Sequence, residues 1–387
     1  MERAVAVTGV GQTKYGRRED VNYQELVYEA IGRVLEDAGI TLADIDAIVY
    51  GTMPSAMEGM NAVHLYQADA LDAFGKPLMR VATCGTTGMS VAHAAFYHVA
   101  SGMFDVVMAV GSEKMFENDP QGTMNTVFEP YFQRPFLGGA PALIGILMAE
   151  YGYRYNIPEQ RLIEAAARLS VNHHTNALDN PYSHLKMKMT VEDAMKARVI
   201  AYPIRLSDCC PSSDGACALI FASEEKARKF PHKPAWVKGL AYAGFEHFYG
   251  DCDLVYPETV VVSAKKAYSM AGVSDPRKDI DVFEFYNPFT YQEFTYYEAA
   301  GLCDKGEACK LVEDGVVLRG GKLPCSPSGG ILCTNAIGAS ALMLVGEATL
   351  QVTGRADKCQ IPGAKTALSH GFGGNNYHTF MILGSEL

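Results

Sequence analysis

The sequence predicts an α/β protein built from two similar halves. The chain has 387 residues, of which 48% are apolar and 20% charged, with 37 glycines and 18 prolines. This composition is typical of a globular protein, and the length exceeds what one hydrophobic core usually holds. Two further observations support the prediction: an internal repeat, and a cysteine placed between a predicted strand and a predicted helix.

The internal repeat begins in residues 30–51. There a helix ends at Gly39, a second helical start follows, and an apolar strand comes next. Residues 265–286 have the same order, with Gly272 closing a helix and residues 279–286 forming the strand. A fixed order of elements that recurs in both halves predicts a duplicated α/β unit.

The repeat continues beyond these strands. A predicted helix follows Cys84 and leads to the apolar strand 106–111, and a small-residue helix follows Asn335 and leads to the strand 366–371. Asn335 therefore occupies the position that Cys84 has in the first half. Equivalent helix N-termini of two α/β halves are expected to face a shared crevice, where ligands bind.

A long insertion lies in the first half. Residues 115–203 are rich in Asn, Pro, Tyr, Phe, Met and His and are too many for a plain connection. Residues 159–169 and 191–196 have the pattern of helices. We therefore expect an N-terminal half at 1–225, which includes an inserted loop domain at about 115–203, and a C-terminal half at 226–387.

Charge and composition exclude several classes of protein. The net charge of −11 and the pI near 5.4 argue against a nucleic-acid-binding surface. No uncharged apolar stretch reaches the roughly 18 residues that span a bilayer, so no membrane partner is expected. The N-terminal residues lack the pattern of a secretory signal, which predicts a cytoplasmic protein. The ten cysteines include no paired C-x2-C set, so we expect no metal in this chain.

Cys84 is the strongest candidate for a reactive residue. It follows the strand-like residues 78–82 and precedes Gly85 and Gly88 at the start of a predicted helix. The dipole and unpaired N–H groups of a helix N-terminus favour a thiolate, so the pKa of this thiol is expected to fall. The glycines allow a substrate to approach the backbone closely. A buried structural cysteine is the alternative interpretation.

Several motifs together resemble the thiolase superfamily, specifically the sterol-carrier-protein-2-like and archaeal-type thiolases. They are Val10-Gly11-Gln12-Thr13-Lys14-Tyr15-Gly16, the residues around Cys84, Ala109-Val110-Gly111-Ser112-Glu113-Lys114-Met115, Asn172-His173-His174, Asn180-Pro181-Tyr182, Asp208-Cys209-Cys210-Pro211-Ser212-Ser213-Asp214-Gly215-Ala216 and Pro327-Ser328-Gly329-Gly330. The resemblance covers essentially the whole chain. It implies the thiolase fold, five layers in the order α-β-α-β-α from two duplicated halves, assembled at least as a homodimer.

The resemblance also implies a reaction. Coenzyme A is a substrate, and the thiolate of Cys84 attacks C3 of a 3-oxoacyl-CoA, so that an acyl enzyme forms and a shortened acyl-CoA leaves. Free CoA then removes the acyl group from the cysteine. Thiolases of this subgroup often need a small partner subunit with a zinc ribbon and an OB-like domain, which would bind any zinc.

Three motifs of the family are altered in this chain. Residues 286–289 read Tyr-Asn-Pro-Phe, where related thiolases have His-Asp-Cys-Phe or Asn-Glu-Ala-Phe. Asn335 replaces the histidine of the Gly-His-Pro motif, and the terminal Cys-x-Gly becomes residues 370–374, His-Gly-Phe-Gly-Gly. The usual acid and base of the family are therefore absent from their usual places.

Other residues are candidates for these roles. His370 is the leading candidate for the base, since imidazole exchanges protons near neutral pH. A satisfied core histidine is the alternative. Asn335 is expected to donate a hydrogen bond to an oxyanion, with Tyr286 or Asn287 as further donors. Cys333 is a candidate replacement for the missing second cysteine.

A second set of residues is expected to bind coenzyme A. Ser328, Gly329 and Gly330 resemble the turn that lies against the pantetheine in thiolases, although a plain tight turn also uses glycine. His174 resembles the loop-domain histidine of the family. Lys196 belongs to a basic cluster that either meets CoA phosphates or is a solvated surface. The other members of this cluster are Lys186, Lys188 and Arg198.

Aromatic residues near the proposed site favour an aromatic or branched acyl group, although most aromatic residues of a protein belong to its core. They are Phe128, Tyr131, Phe132, Phe136, Tyr286, Phe289, Tyr291 and Phe372. The altered motifs resemble those of the benzoylsuccinyl-CoA thiolase of anaerobic toluene breakdown, which implies an aromatic substrate such as 2-benzoylsuccinyl-CoA. An acetoacetyl-CoA thiolase is the main alternative. A condensing synthase of the ketoacyl synthase III or hydroxymethylglutaryl-CoA synthase kind and a non-catalytic thiolase-like scaffold are further alternatives.

Overall fold

The computed structural model describes residues 3–53, 57, 59–135, 138–244, 250, 252–253, 255–374 and 376–387. Their strands are β1 (Val5–Gln12), β2 (Ala47–Gly51), β3 (Leu78–Val81), β4 (Val106–Lys114), β5 (Val199–Ala201), β6 (Ile204–Arg205), β7 (Asp214–Ser223), β8 (Ala235–Ala243), β9 (Val282–Glu284), β10 (Thr366–Gly373) and β11 (Tyr377–Gly384). Strands β5 and β6 form a hairpin, and the other nine described strands form one mixed sheet in the order β3-β2-β4-β7-β1-β8-β11-β10-β9.

The helices alternate with these strands. In the described part of the first half they are α1 (Tyr23–Ala38), α2 (Val63–Tyr66), α3 (Thr87–Ala100), α4 (Pro120–Asn125), α5 (Ala140–Arg154), α6 (Glu159–Asp179), α7 (Val191–Lys196) and α8 (Glu224–Ala227). In the second half they are α9 (Glu258–Ala271), α10 (Pro276–Asp279), α11 (Thr290–Ala299), α12 (Ala308–Glu313), α13 (Gly330–Cys333) and α14 (Ile337–Thr353).

The sheet has the same pairing pattern in both halves. In the first half β2 lies between parallel neighbours β3 and β4, and β4, β7 and β1 are antiparallel. In the second half β9 pairs in parallel with β10 and, at one bridge, with Cys325, and β10, β11 and β8 are antiparallel. Antiparallel pairing of β1 with β8 joins the halves. The predicted duplication is therefore present in the strand pairing.

Helices and sheet halves are stacked in alternating layers. Helix α1 packs on β1 and β7, α3 and α14 pack on each other between the halves of the sheet, and α9 packs on β8 and β11. Each helical layer has its own apolar core, represented by Ile31 on α1, Leu342 on α14 and Val260 on α9. The predicted fold class, α/β with α-β-α-β-α layers, is confirmed.

Local sequence signals set the ends of the main helices. The Asn22 side chain accepts from the Glu25 N–H, and the Glu25 carboxylate accepts from the Asn22 N–H, which is a capping box at the start of α1. Gly39 and Gly272 end α1 and α9 in the left-handed conformation. The strand predicted at 279–286 is shorter, because residues up to Asp279 form α10.

The segment between β4 and β7 contains both helices that its sequence predicts. The first extends beyond the predicted residues 159–169 to form α6, and the second is α7. Helices α4 and α5 and the hairpin of β5 and β6 lie in the same segment. In the described part of the chain, no helix combines the length and apolar character needed to cross a membrane.

Candidate active site

A cavity of about 370 Å³ lies at the N-terminal ends of the two central helices, α3 and α14. Most of its wall is apolar, and its polar groups come from both halves of the chain. The described residues that line it are Cys84, Gly85, Met115, Asp119, Pro120, Gln121, Met124, Val127, Phe128, Ala140, Pro141, Leu143, Ile144, Ile200, Leu206, Cys209, Cys210, Pro211, Ser212, Tyr286, Pro288, Phe289, Asn335, Ile337, Phe372 and Gly374. The predicted crevice therefore contains both Cys84 and Asn335.

Cys84 occupies a tight connection between β3 and α3. Its φ is 58°, in the left-handed region that residues other than glycine rarely adopt. The Thr87 N–H and hydroxyl both donate to the Cys84 carbonyl oxygen, at 2.9 and 2.6 Å. A Cβ on Gly85 would lie 2.2 Å from the carbonyl oxygen of Phe372, so only glycine fits there. This connection fixes the thiol at the cavity.

The protonation of Cys84 differs from the prediction. Burial raises the pKa of the thiol, while the backbone N–H groups of Gly374 and Gly85 hydrogen-bond to the sulfur and partly oppose that rise. The expected net fall in pKa is therefore wrong for this structure. Helix α3 begins only at Thr87, so the sulfur meets these two N–H groups rather than the first turn of the helix.

Asn335 connects the polar groups of the cavity. Its Nδ2 donates to the sulfur of Cys210 at 3.3 Å, and its Oδ1 accepts from the Ser340 hydroxyl at 2.9 Å and the Tyr286 hydroxyl at 3.4 Å. Ser213 holds its backbone, since the Ser213 N–H donates to the Asn335 carbonyl at 2.9 Å and the Ser213 hydroxyl accepts from the Asn335 N–H at 3.1 Å. The side chain is thus fixed with its N–H₂ group toward Cys210.

Tyr286 reaches the cavity from the second half. It lies just after β9, and burial together with the nearby thiols of Cys210 and Cys84 raises the pKa of its hydroxyl well above the ordinary value. The hydroxyl therefore stays protonated at neutral pH, and its hydrogen, which is directed at Asn335 Oδ1 at 3.4 Å, can turn to donate to a ligand instead.

His370 does not line the cavity, which corrects the expectation that its imidazole reaches Cys84. Its neighbours in β10, Ser369 and Gly371, face α14, where the Ser369 hydroxyl donates to the Leu344 carbonyl. Because side chains alternate along a strand, His370 faces the other side of the sheet.

There the His370 ring is fully buried among protein groups. Its Nδ1 accepts from the Tyr286 N–H at 3.3 Å, and its Nε2 lies 2.9 Å from Nδ1 of His378. Burial and His378 lower the pKa of His370 well below its ordinary value. The imidazole is therefore neutral and holds the backbone of Tyr286.

Asn287 is also buried outside the cavity lining. Its Oδ1 accepts from the N–H groups of Ile331 and Leu332 at 2.8 and 3.3 Å, and its Nδ2 donates to Glu293 at 3.1 Å. Both ends of the amide are used within the protein. In this structure the expected oxyanion donor instead fixes the start of helix α13.

The turn expected to meet pantetheine is packed inside the protein. Ser328 donates through its hydroxyl to Glu284 at 2.8 Å. Gly329 has φ of 91° and lies against helix α6, where a Cβ would come within 2.8 Å of the Ala177 side chain. Gly330 lies against Asn287. These glycines are needed for close packing of protein on protein, and the turn does not line the cavity.

The remaining candidates for CoA contact are not among the described residues that line the cavity. His174 is buried on α6, 3.5 Å from the sulfur of Cys333, and burial lowers the pKa of its imidazole to about 4. Cys333 is buried as well and does not line the cavity. Lys196 is exposed on α7 and pairs with Glu192 at 2.5 Å. Lys186, Lys188 and Arg198 are exposed too.

The predicted aromatic lining is partly present. Phe128, Tyr286, Phe289 and Phe372 line the cavity. Tyr131 and Phe132 are exposed and Tyr291 is buried elsewhere, and Phe136 lies outside the described residues.

Two lining thiols, Cys209 and Cys210, belong to one of the motifs that resemble the family but are not among the predicted site residues. The signal that could have found them is a Cys-Cys-Pro run directly before a buried strand. Among the described residues, no group of three or more His, Cys, Asp or Glu side chains is arranged to hold a metal ion.

The duplicated layers and the cysteine at the central cavity define the class of protein. The chain belongs to the thiolase family of acyltransferases: residues 4–225 match the model "Thiolase, N-terminal domain", and residues 246–385 match "Thiolase C-terminal domain-like". The resemblance to sterol-carrier-protein-2-like and archaeal-type thiolases is confirmed by curated relatives of both kinds.

Two curated relatives cover nearly the whole chain. The acetyl-CoA acetyltransferase of Methanothermobacter thermautotrophicus is 33% identical over 96% of this chain and 97% of that protein. The benzoylsuccinyl-CoA thiolase subunit BbsB of Thauera aromatica is 28% identical over 97% of this chain and 96% of that protein. The latter is therefore only a distant relative.

Solved structures agree with the fold. The Ltp2-ChsH2(DUF35) aldolase superposes with a TM-score of 0.83 at 26% identity, covering 98% of this chain and 97% of that chain. Human mitochondrial 3-ketoacyl-CoA thiolase in complex with CoA superposes with a TM-score of 0.72 at 17% identity, covering 100% of this chain and 98% of that chain. The second likeness shows the fold alone.

Proposed function

We propose that this protein cleaves a 3-oxoacyl-CoA with free CoA through an acyl group carried on Cys84. The observation that carries the proposal is the position of Cys84 at a cavity between the two halves, with the N–H groups of Gly85 and Gly374 on its sulfur. These N–H groups stabilise a thiolate when it forms. The Cys84 thiol loses its proton to solvent, and its thiolate attacks the ketone at C3. The bond between C2 and C3 then breaks to leave an acyl enzyme, while C2 takes up a proton and the shortened acyl-CoA leaves. The CoA thiol loses its proton and takes the acyl group as acyl-CoA, and Cys84 returns to the thiolate.

Donors for the developing negative charge are present in the same cavity. Tyr286 lines it with a protonated hydroxyl, and the Asn335 amide N–H₂ faces it. Hydrogen-bond donors that are fixed before reaction stabilise an oxyanion without reorganisation. His370 contributes indirectly, because its Nδ1 holds the backbone N–H of Tyr286.

The cavity favours a large apolar acyl group. At about 370 Å³, with walls that include Met124, Phe128, Ile144 and Phe289, it falls within the range of sites for small organic ligands. An aromatic group such as that of 2-benzoylsuccinyl-CoA suits these walls better than acetoacetyl-CoA, which would leave most of the apolar surface uncovered.

Coenzyme A, a homodimer and a small partner subunit belong to the same proposal. The human thiolase with the same fold is solved in complex with CoA, and the aldolase relative is solved as Ltp2 with ChsH2(DUF35). The exposed basic side chains around Lys196 suit CoA phosphates. We retain the division at residues 225 and 226, with the inserted segment 115–203, as the domain organisation.

An aldolase-type cleavage without an acyl enzyme is the second candidate. One observation favours it: burial raises the pKa of the Cys84 thiol, while the protonated Tyr286 hydroxyl lies in the same cavity. The Ltp2-ChsH2(DUF35) aldolase is also similar over nearly the whole chain.

The rate of cleavage by the Cys84→Ala variant distinguishes the acyl-enzyme route from the aldolase-type route. With acetoacetyl-CoA and benzoylacetyl-CoA as probes and free CoA present, we expect the variant to lose CoA-dependent cleavage by about a thousandfold or more, since the covalent route is gone. The buried Cys325→Ala variant is the matched control and should cleave at nearly the wild-type rate. Undiminished cleavage by Cys84→Ala would exclude the acyl-enzyme route and favour the aldolase type.

A further inference from the structure

Asn335, the amide donor of the proposed reaction, lies in an irregular connection between two helices. Residues 334–336 join helix α13 to helix α14, and the backbone of Thr334 is extended, with φ of −158° and ψ of 107°. Helix α14 begins only at Ile337. The backbone N–H and carbonyl groups of Asn335 therefore need partners from elsewhere in the chain.

Ser213 supplies both of these partners. Its N–H donates to the Asn335 carbonyl at 2.9 Å, and its hydroxyl oxygen accepts from the Asn335 N–H at 3.1 Å. Ser213 directly precedes β7 and is fully buried. One serine at the end of a central strand therefore holds the backbone of Asn335.

The Ser213 hydroxyl has a second contact, in the inserted segment. Its oxygen lies 3.0 Å from Nδ1 of His184, which is in the connection between α6 and α7. Asn335 does not use the hydroxyl hydrogen, because its own N–H is the donor in the bond to Ser213. A neutral imidazole that carries its hydrogen on Nε2 can accept the hydroxyl hydrogen at Nδ1. The Asn335 N–H, the Ser213 O–H and His184 Nδ1 then form a chain with every donor matched to an acceptor.

The protonation state of His184 suits this chain. Burial lowers the pKa of its imidazole below the ordinary value, although the carboxylate of Asp214 opposes that fall. The ring is therefore mostly neutral at neutral pH. Hydrogen bonds in a chain polarise one another, so a hydroxyl that donates is also a better acceptor. A bond from Ser213 to His184 thus strengthens the hold of Ser213 on the Asn335 N–H.

The backbone around His184 is tied to the same connection. The His184 N–H donates to the Thr334 hydroxyl at 3.1 Å, and the Leu185 N–H donates to the Cys333 carbonyl at 3.0 Å. Cys333 and Thr334 directly precede Asn335. The inserted segment therefore contacts this connection through both its backbone and the imidazole.

We propose that His184 is a positioning residue for Asn335 and acts through the hydroxyl of Ser213. The assignment rests on the proposed acyl transfer through Cys84. Asn335 Nδ2 has two hydrogens, and since one donates to the sulfur of Cys210, the other serves the oxyanion. His184 is not among the described residues that line the cavity, so its effect on the reaction passes through Asn335.

A double-mutant cycle tests this assignment. Wild type, His184→Leu, Ser213→Ala and the double variant are assayed with free CoA and either acetoacetyl-CoA or benzoylacetyl-CoA, whichever the wild type cleaves faster. Rates are expressed per folded protein, measured by circular dichroism. Each single variant should lower kcat by about 10- to 100-fold and leave KM within about threefold, because an oxyanion donor acts on the transition state. The double variant should be at most about twofold slower than Ser213→Ala, because His184 acts through that hydroxyl.

Two amide variants of His184 test the hydrogen bond itself, whether or not His184→Leu folds. His184→Asn places its Oδ1 where Nδ1 lies and should keep kcat within about threefold of wild type. His184→Gln extends its amide toward the place of Nε2 and should lose kcat by about 10-fold or more. His98→Leu is the matched control: the partly buried ring of His98 bonds only the Ala94 carbonyl of its own helix, so kcat should not change.

The outcomes separate the two proposals. Wild-type kcat in His184→Leu, equal kcat in the Asn and Gln variants, or additive losses in the double variant would overturn the role of His184 and leave the acyl enzyme intact. A wild type that carries no acyl group on Cys84 after mixing with either probe would overturn the proposed acyl transfer, and the role of His184 with it.

Discussion

At the scale of residues, Cys84 is held in a costly backbone conformation. A φ of 58° costs a residue with a Cβ about 1–2 kcal/mol relative to ordinary helical or extended backbone. The two hydrogen bonds from Thr87 to the Cys84 carbonyl hold it there. Strain of this kind persists at functional sites, where the surrounding structure imposes it.

Because of this strain, we expect the usual order of stability of a glycine and an alanine variant to be reversed at position 84. Cys84→Gly and Cys84→Ala both remove the thiol, but only glycine adopts this φ without cost. We expect the Gly variant to be about 1 kcal/mol more stable than the Ala variant, although glycine normally destabilises. The free energies of unfolding are compared by urea denaturation. A more stable Ala variant would show that the connection is not strained as described.

At the scale of elements, helices α3 and α14 bring the two halves of the site together. They cross at Gly88, where a Cβ would lie 2.3 Å from the backbone nitrogen of Leu342. The N-termini of both helices reach the cavity because the crossing is this close. A side chain at position 88 would therefore disturb the geometry of the site as well as the packing of the two helices.

Gly88→Ala should destabilise the fold by about 1–3 kcal/mol, because two helix backbones would have to separate. Gly32→Ala on α1 is the matched control: its Cβ would meet no atom within 4 Å, so the better helix former should stabilise by about 0.5–1 kcal/mol. Thermal denaturation of both variants measures the difference. Equal effects at the two positions would contradict the close crossing.

The elements also show what the sequence could predict. The fold could be predicted because its signals are local in the sequence. These signals are the repeated order of strands and helices, the capping box at Asn22 and the Gly39 that ends α1. The side chain of His370 lies on one face of the sheet or the other according to the register of β10. A shift of that register by one residue would move it to the opposite face. The contact of Cys210 with Asn335 joins residues 125 positions apart, which no local pattern specifies.

At the scale of the whole molecule, buried neutral histidines couple stability to pH. Burial lowers the pKa of His93 and His174 to about 4 and that of His378 to about 3. In the unfolded chain these groups titrate near their ordinary value of about 6.5. Between those values the unfolded chain binds more protons, so stability must fall as pH drops below about 6.5.

His378→Gln isolates one of these contributions. The slope of unfolding free energy against pH, measured between about pH 5 and 6.5, should decrease by up to about 1.4 kcal/mol per pH unit relative to wild type.

Glu284→Gln should change this slope with the opposite sign. Burial raises the pKa of Glu284 well above its ordinary value, so this carboxyl makes stability fall as pH rises above about 4.3. Unchanged slopes in both variants would contradict these protonation states.

The duplication places one candidate site residue before each central helix, Cys84 before α3 and Asn335 before α14. Both line one cavity, although 251 positions separate them in the sequence. The function proposed for the whole molecule therefore depends on chemistry at a single sulfur.

Direct detection of the acyl group is the measurement that tests this most closely. The wild-type protein is mixed with a 3-oxoacyl-CoA without free CoA, quenched in acid, and mapped by peptide mass spectrometry. We predict one acyl group per chain on the peptide that contains Cys84, and its loss when CoA is added before the quench. An unmodified Cys84 in a protein that cleaves the substrate would contradict the account.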